Sequence, residues 1–213
     1  MIYKVIKTLT QSGISDITIV LGGESVGDFI RLLGDGSVFD AKFNYVYQQR
    51  AGGIAEALYL TKEIVQGHKI AVILGDNIFE DRYKEEVENF RTSNEYECML
   101  FLKKVPDPHR FGVAEVNEEG VVINIEEKPK KPKSDLSVTG LYFFNEEIFS
   151  IIEQVIEDVG YSNRGELEIT DVNNYYIKRG KTNCKIIDGF WSDAGTFETL
   201  IKSSNFIQSK NQK

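Results

Sequence analysis

Two aspartates, far apart in the chain, have surroundings that suit them to hold a metal ion. Asp76 follows an apolar predicted strand in Leu74-Gly75-Asp76-Asn77, and Asp193 lies two residues after Trp191, the only tryptophan. Gly75 allows the backbone to turn and approach a ligand, and carboxylates are oxygen ligands that Mg²⁺ takes together with substrate phosphates. We therefore predict that Asp76 and Asp193 bind one Mg²⁺. The alternative is that each is a turn or helix-capping residue.

Two cations lie where they could bind a phosphate group. Lys128 comes just after a predicted strand in Glu126-Glu127-Lys128-Pro129, and Arg164 comes just before a predicted helix in Arg164-Gly165-Glu166. Lysine neutralises a phosphate as a point charge, and arginine can grip one through two parallel hydrogen bonds. The alternative is a solvated charged surface, because further lysines follow at positions 130, 131 and 133.

A double glycine follows another predicted strand, within Gln48-Gln49-Arg50-Ala51-Gly52-Gly53. A loop of this kind exposes backbone amides that can hold a base or a phosphate, although an ordinary connecting loop has the same composition. His68 and His109 lack partners at metal-ligand spacing, and no arrangement of serine, cysteine and histidine predicts a nucleophilic enzyme.

The elements that would position these residues alternate between helix and strand. Hydrophobic periodicity predicts helices over 2–9, 25–33, 54–65, 82–91, 145–156, 167–179 and 196–208. Apolar and β-branched runs predict strands over 16–21, 43–48, 69–74, 97–105, 111–116, 121–126, 138–144 and 182–187. This alternation predicts an α/β fold, with a Rossmann-like, mainly parallel sheet covered by helices on both faces and an inserted antiparallel hairpin at 111–126. Ligands bind at the carboxyl ends of strands in such sheets.

Composition and charge limit the classes of protein that fit. The 213 residues are 41% hydrophobic and 27% charged, as in a soluble globular protein, and we expect one domain over residues 1–213. Lys and Arg total 25 against 33 Asp and Glu, and the net charge of −8 disfavours binding to nucleic acid. Two cysteines, Cys98 and Cys184, predict reduced thiols in a cytoplasmic protein. No apolar run reaches the roughly 20 residues of a membrane span, so no membrane partner is expected.

Seven motifs occur in one order along the chain and together indicate a family. They are Gln48…Gly52-Gly53-Ile54-Ala55, Leu74-Gly75-Asp76-Asn77-Ile78-Phe79, Asp107-Pro108-His109-Arg110-Phe111-Gly112-Val113, Glu126-Glu127-Lys128-Pro129, Val138-Thr139-Gly140-Leu141-Tyr142, Arg164-Gly165-Glu166-Leu167-Glu168-Ile169-Thr170-Asp171 and Trp191-Ser192-Asp193-Ala194-Gly195-Thr196. This series resembles the sugar-phosphate nucleotidylyltransferases, and the resemblance covers essentially the whole chain.

The resemblance implies a reaction and a role for each candidate residue. In this family a nucleoside triphosphate, usually dTTP, is attacked at its α-phosphorus by the phosphate of glucose 1-phosphate, giving dTDP-glucose and pyrophosphate. By resemblance the nucleobase contacts Gln48 and Gly53, Mg²⁺ contacts Asp76 and Asp193, and the sugar contacts Gly112, Glu127, Val138 and Tyr142. The implied catalytic residues, which would bind the sugar phosphate, are Lys128 and Arg164. A homo-oligomer is expected, because members of the family usually are.

The beginning of the chain departs from the family pattern. Members begin with an apolar strand and a Gly-x-Gly-x-Arg-Leu loop, whereas Met1-Ile2-Tyr3 matches a later Met-Ile-Tyr. We expect the first strand and the triphosphate loop, roughly 30 residues, to be absent from this sequence. Strands beside the absent one would then carry unpaired backbone groups. Little activity is expected of such a chain, and the alternative function is a non-catalytic sugar-nucleotide-binding or regulatory protein.

Overall fold

The computed structural model describes residues 1–211, and helices alternate with strands along most of this range. Gln212 and Lys213, the last residues of the expected domain, lie outside the described part of the chain. The α-helices in the described part are α1 (Ile2–Gln11), α2 (Val26–Leu33), α3 (Ile54–Tyr59), α4 (Lys62–Val65), α5 (Lys84–Thr92), α6 (Ile148–Asp158), α7 (Ile169–Lys178) and α8 (Phe197–Asn211). Its β-strands are β1 (Asp16–Gly22), β2 (Lys42–Gln48), β3 (Ile70–Ile73), β4 (Asn77–Phe79), β5 (Cys98–Lys104), β6 (Gly112–Val116), β7 (Val122–Glu127), β8 (Leu136–Phe144), β9 (Thr182–Ile186) and β10 (Trp191–Asp193). None of the described helices is long and apolar enough to cross a membrane.

The predicted elements differ from the observed ones mainly in two regions. The helix predicted over 54–65 is interrupted between α3 and α4. The segments after β3 and before α8, to which the sequence assigned no element, contain the three-residue strands β4 and β10. These two strands belong to the candidate site described below.

The α/β class predicted from the sequence is confirmed, but the sheet is mixed rather than mainly parallel. Strand β8 lies at its centre and runs antiparallel to β5 along one edge and to β6 and β3 along the other. Among the described strands, parallel pairing occurs between β1 and β2 and between β5 and β9. The prediction of direction failed because a hydrophobic pattern specifies the faces of a strand but not the direction of its neighbour. The predicted antiparallel hairpin is confirmed as β6 and β7.

Strand β8 also forms the centre of the hydrophobic core, and all nine of its residues, Leu136–Phe144, are buried. Tyr142 and Phe144 pack into one cluster with residues of α6 and α7, whereas Leu141 and Phe143 pack into a second with residues of α5. Successive side chains of a strand point to opposite faces, so β8 is apolar on both faces and helices cover both.

A groove separates β1 from β3. Within the described residues β1 pairs with β2 alone and β3 with β8 alone, so each has one edge without a strand partner. The groove has a volume of about 1390 Å³ and is lined by β1 and β3, by apolar side chains of α1 such as Ile6 and Leu9, and by residues of α3 and α4. These are the unpaired strand edges that the sequence predicts, whereas the absent first strand itself stays a prediction.

Close packing around β8 makes one glycine a sensitive position. A Cβ atom on Gly140 would lie 2.7 Å from Cγ and Cδ1 of Leu74 and 2.8 Å from Cγ of Asn77. We expect Gly140→Ala to lower the free energy of unfolding by about 1–3 kcal/mol, because overpacking forces its neighbours to move. Urea denaturation followed by far-UV circular dichroism measures this change.

Gly27→Ala is the matched control, because a Cβ atom at Gly27 in α2 meets nothing within 4 Å. Alanine favours a helix over glycine by about 0.8–1 kcal/mol, so this variant is expected to equal or exceed the wild type in stability. Equal stability of Gly140→Ala and the wild type would contradict the packing described around β8.

Candidate active site

A short antiparallel ladder brings the two candidate metal-binding aspartates together. Strand β4 pairs with β10, with Asn77 opposite Asp193, so Asp76 and Asp193 lie at the same end of the ladder. The backbone N–H of Ala194 extends the ladder by donating to the carbonyl oxygen of Asp76 at 2.8 Å. A Cβ atom placed on Gly195 would lie 3.3 Å from Oδ2 of Asp193 and 3.7 Å from Oδ2 of Asp76. Both carboxylate oxygens therefore face the same small space.

The side chain of Asn77 connects the ladder to the central strand β8. Asn77 is 3% exposed, and its Oδ1 accepts hydrogen bonds from Nε1 of Trp191 at 2.7 Å and from the N–H of Gly140 at 3.0 Å. Its Nδ2 donates to Oδ1 of Asp76 at 2.8 Å. One buried amide thus fixes the orientation of Asp76 and the position of the segment that carries Asp193. A satisfied buried network of this kind specifies a single arrangement.

Electrostatics at the ladder suit a cation. Burial raises the pKa of Asp193, the guanidinium of Arg110 opposes that rise, and the neighbouring charge of Asp76 adds to it. Two carboxylates with converging oxygens repel each other, and a divalent cation between them removes this repulsion.

The number and type of the side chains available as ligands decide whether Mg²⁺ fits this position. The described residues contain no group of three or more His, Cys, Asp or Glu side chains placed to hold a metal ion. Mg²⁺ commonly takes one or two carboxylates and completes its octahedral shell with water and substrate phosphates. The pair Asp76 and Asp193 fits that requirement, whereas it would not serve a metal that needs a full set of protein ligands.

A second polar group surrounds Glu127, the last residue of β7. Thr170, at the start of α7, donates a hydrogen bond from Oγ1 to Oε2 of Glu127 at 2.7 Å. The other oxygen, Oε1, lies 3.7 Å from Nζ of Lys128 and 3.6 Å from Nη2 of Arg164. Arg164 is also held by Glu168 at 2.9 Å. Both predicted phosphate-binding cations therefore meet at one carboxylate.

Lys128 has an unusual backbone conformation, with φ of 44°. A left-handed conformation costs a non-glycine residue about 1–2 kcal/mol, and it is more unusual still before a proline such as Pro129. The N–H of Lys128 donates to the carbonyl oxygen of Phe111 at 3.0 Å, which continues the β6–β7 ladder by one bond and holds this conformation. Such strain is typical of residues at functional sites.

Eight of the ten predicted site residues line one cavity of about 260 Å³: Asp76, Gly112, Glu127, Lys128, Val138, Tyr142, Arg164 and Asp193. The other two, Gln48 and Gly53, line the groove between β1 and β3. Gln48 contacts Gly53 directly, because its Nε2 donates to the carbonyl oxygen of Gly53 at 3.3 Å. Cavity and groove adjoin, since Leu74 lines both. The roles assigned to these residues stay predictions.

Three residues of the site were missed by sequence reasoning: Asn77, Arg110 and Thr170. All three stand inside motifs that the sequence analysis singled out, yet nothing in the sequence indicates their partners. The bond from Thr170 to Glu127 joins residues 43 apart, and that from Trp191 to Asn77 joins residues 114 apart. An acidic residue followed by asparagine at a strand end was the available signal for Asn77.

Converging carboxylates beside a lysine and an arginine are typical of sites that bind phosphate esters with the help of a divalent cation. Comparison with known proteins agrees with this class of site. A family model described as nucleotidyl transferase matches residues 1–210. The chain belongs to this family.

Several relatives carry a more specific name. A protein of Neisseria meningitidis named glucose-1-phosphate thymidylyltransferase is 37% identical over 210 residues, which are 98% of this chain and 72% of that protein. A protein of Mycolicibacterium smegmatis with the same name is 34% identical over 212 residues, which are 98% of this chain and 71% of that protein. A crystal structure from Bacillus anthracis, described as a candidate glucose-1-phosphate thymidylyltransferase in complex with sucrose, is 43% identical with a TM-score of 0.88. The match covers 96% of this chain and 81% of that one.

A more distant likeness concerns the fold alone. The crystal structure of a UDP-glucose pyrophosphorylase complexed with UDP-glucose has a TM-score of 0.80 with this chain but 22% sequence identity. The match covers 97% of this chain and 86% of that one. The mixed sheet is therefore an architecture that diverged sequences also adopt.

The bond between Thr170 and Glu127 can be tested by substitution. Thr170 is 6% exposed, so Thr170→Val keeps the shape of a buried side chain and removes the donor to the carboxylate. We expect a loss of about 1.5 kcal/mol in the free energy of unfolding, because a hydrogen bond to a charged group is lost. Urea denaturation at neutral pH measures it.

Thr170→Ser is the control that keeps the donor and removes one methyl group, at a cost of about 0.8 kcal/mol. The valine variant is therefore expected to be the less stable of the two. The reverse order would show that the methyl group, and not the hydrogen bond, is what Thr170 contributes.

Proposed function

We propose that the chain transfers a nucleotidyl group from dTTP to the phosphate of glucose 1-phosphate, which forms dTDP-glucose and releases pyrophosphate, with Mg²⁺ as the metal ion. The observation that carries the proposal is the shared cavity of Asp76, Asp193, Lys128 and Arg164. The names of the relatives support the choice of substrates.

Each charged residue has a defined task in this proposal. Asp76 and Asp193 would hold Mg²⁺, which when bound supplies positive charge to the triphosphate. Lys128 and Arg164 bind the dianionic phosphate of the sugar and orient the oxygen that attacks the α-phosphorus. Both cations lie beside Glu127. A bound phosphate would therefore replace the carboxylate of Glu127 as the anionic partner of Lys128 and Arg164. Glu127, still held by Thr170, is then free to accept hydrogen bonds from sugar hydroxyls.

Small and apolar residues shape the sugar position in this proposal. A Cβ atom on Gly112 would lie 3.4 Å from Oε2 of Glu127, so the glycine leaves the space in front of that carboxylate open. Val138 and Tyr142 are 7% and 4% exposed and form an apolar wall of the same cavity. A sugar ring packs against such a wall while its hydroxyls reach the polar side.

Gln48 and Gly53 are proposed to bind the nucleobase from the adjoining groove. The Nε2 of Gln48 donates to the carbonyl oxygen of Gly53 at 3.3 Å and to Oε1 of Glu56 at 3.4 Å, so its Oε1 is the atom proposed to accept a hydrogen bond from an N–H of the base. Gly53 has φ of 97°, and a Cβ atom at this position would clash with the backbone of Leu167, so a residue larger than glycine does not fit at position 53. The loop therefore approaches Leu167 closely, and the base position lies next to α7.

A non-catalytic sugar-nucleotide-binding protein is the second candidate function. The open groove of about 1390 Å³, with its two unpaired strand edges, favours this second function. The groove adjoins the cavity on the side where Gln48 and Gly53 are proposed to bind the nucleobase. Catalysis requires the reacting groups to be held rigidly, and a wide groove holds a triphosphate poorly. We therefore expect the 213-residue polypeptide to bind dTDP-glucose and to turn over slowly.

Calorimetric titration with dTDP-glucose in the presence of Mg²⁺ tests the shared part of both proposals. Arg164→Ala is expected to weaken binding about tenfold or more, because a charge-assisted hydrogen bond to phosphate is lost. Arg31→Ala, which removes an exposed arginine paired with Asp28 on α2, is the matched control and is expected to leave binding unchanged. Failure of the folded wild type to bind dTDP-glucose would refute both functions.

Pyrophosphate release with dTTP, glucose 1-phosphate and Mg²⁺ separates the two functions. Asp193→Asn is expected to remove whatever turnover the chain has, whereas Asp188→Asn, an exposed carboxylate near the same segment, leaves it intact. Turnover equal to that of the Neisseria meningitidis relative would contradict the slow rate expected of this polypeptide. Binding without any detectable turnover would instead support the non-catalytic function.

A further inference from the structure

Arg110 is a cation in the site that the proposed function does not use. Its Nη2 donates a hydrogen bond to Oδ2 of Asp193 at 3.1 Å, and its Nη1 donates to Oδ2 of Asp107 at 3.2 Å. The side chain is 31% exposed and lines the same cavity as Lys128 and Arg164. It is therefore close both to a candidate metal ligand and to the position of an anionic substrate.

The oxygen that Arg110 contacts is the one a metal ion would need. Oδ2 of Asp193 and Oδ2 of Asp76 are the two atoms that face the common space beside Gly195. A divalent cation shared by both carboxylates must approach these oxygens, and the positive guanidinium of Arg110 already lies on one of them. Arginine and metal ion therefore compete for the same lone pairs and repel each other.

Its surroundings hold the guanidinium in this place. Arg110 ends a short 3₁₀ helix, Pro108–Arg110, that begins with a proline. Its Cζ lies 5.2 Å from the centre of the Phe111 ring, and that ring packs edge-on against Trp191 with centroids 5.2 Å apart. The arginine is thus in contact with the same segment that carries Asp193. A movement of Arg110 would therefore alter the surroundings of Trp191, the only tryptophan of the chain.

We infer that Arg110 is a built-in counter-ion of the metal site: it neutralises Asp193 until a divalent cation binds, and it then turns to the anionic phosphate of the substrate in the same cavity. This inference rests on the proposed function, because that proposal assigns Asp76 and Asp193 to the metal ion. Both positions are within one cavity, since Arg110 and Asp193 line it together with Lys128 and Arg164, the cations proposed to bind the substrate phosphate. Binding of the metal ion and binding of the phosphate are then coupled through one residue.

Two titrations test the inference, each followed by the fluorescence of Trp191. In the first, Mn²⁺ is added to the folded chain without substrate, and Arg110→Ala is expected to bind it about fivefold more tightly than the wild type. In the second, glucose 1-phosphate is added, and Arg110→Ala is expected to bind it about fivefold more weakly at saturating Mn²⁺. Without Mn²⁺ the variant and the wild type should bind glucose 1-phosphate equally.

Arg179→Ala is the matched control, because Arg179 also bridges two carboxylates, Glu97 at 3.1 Å and Glu147 at 3.0 Å, and is similarly exposed. It lies outside the lining of the cavity and is expected to change neither titration. A residue with a purely structural role would weaken both ligands together, so opposite effects on Mn²⁺ and on glucose 1-phosphate are the signature of a counter-ion.

The outcomes separate this inference from the proposed function. Wild-type binding of Mn²⁺ that Asp193→Asn abolishes, together with an unchanged or weakened Mn²⁺ affinity in Arg110→Ala, overturns the inference and leaves the metal assignment standing. An unchanged affinity for glucose 1-phosphate in Arg110→Ala at saturating Mn²⁺ also overturns it. Absence of Mn²⁺ binding in both the wild type and Arg110→Ala overturns the metal assignment and the inference with it.

Discussion

Pairing of two three-residue strands, β4 and β10, is the constraint on which the site depends. Three residues on each strand join parts of the chain more than a hundred positions apart, and Asp76 and Asp193 flank the end of this ladder. Such a short ladder is weak alone. The buried amide of Asn77 reinforces it through bonds to Trp191, Asp76 and Gly140, and the last of these anchors the ladder to the most buried strand of the sheet.

The cationic side chains that line the cavity are each paired with a carboxylate of the protein. The chain is acidic overall, yet Arg110, Lys128 and Arg164 all line this cavity, and each contacts a carboxylate. An unpaired cation in a partly buried cavity would be costly, and a cation held by a carboxylate is both stabilised and oriented. In the proposed function a phosphate ester would compete for these cations, and a divalent cation would compete for the carboxylates. Ligand binding would then replace internal ion pairs with pairs to the ligands.

Most of the candidate site residues could be predicted from the sequence, because their residue types and their positions next to predicted strands indicate a binding role. Asp76, Lys128 and Gln48 each follow or end a strand, where a ligand-binding residue is expected, and eight of the ten predicted residues line one cavity. What the sequence did not reveal depends on pairing across long separations. β10 is too short for periodicity to identify, and the antiparallel direction of β8 leaves no mark in its uniformly buried pattern. The positive φ of Lys128 was equally hidden, because lysine does not favour that conformation.

We propose that the β4–β10 ladder makes Asp76 and Asp193 the ligands of one divalent cation. A crystal structure of the chain grown with Mn²⁺, with anomalous diffraction data, tests it most directly. We expect a single anomalous peak beside Gly195 at coordination distance, about 2.1 Å, from one oxygen of each aspartate. A peak bound by only one of the two aspartates, or no peak at this position, would contradict it.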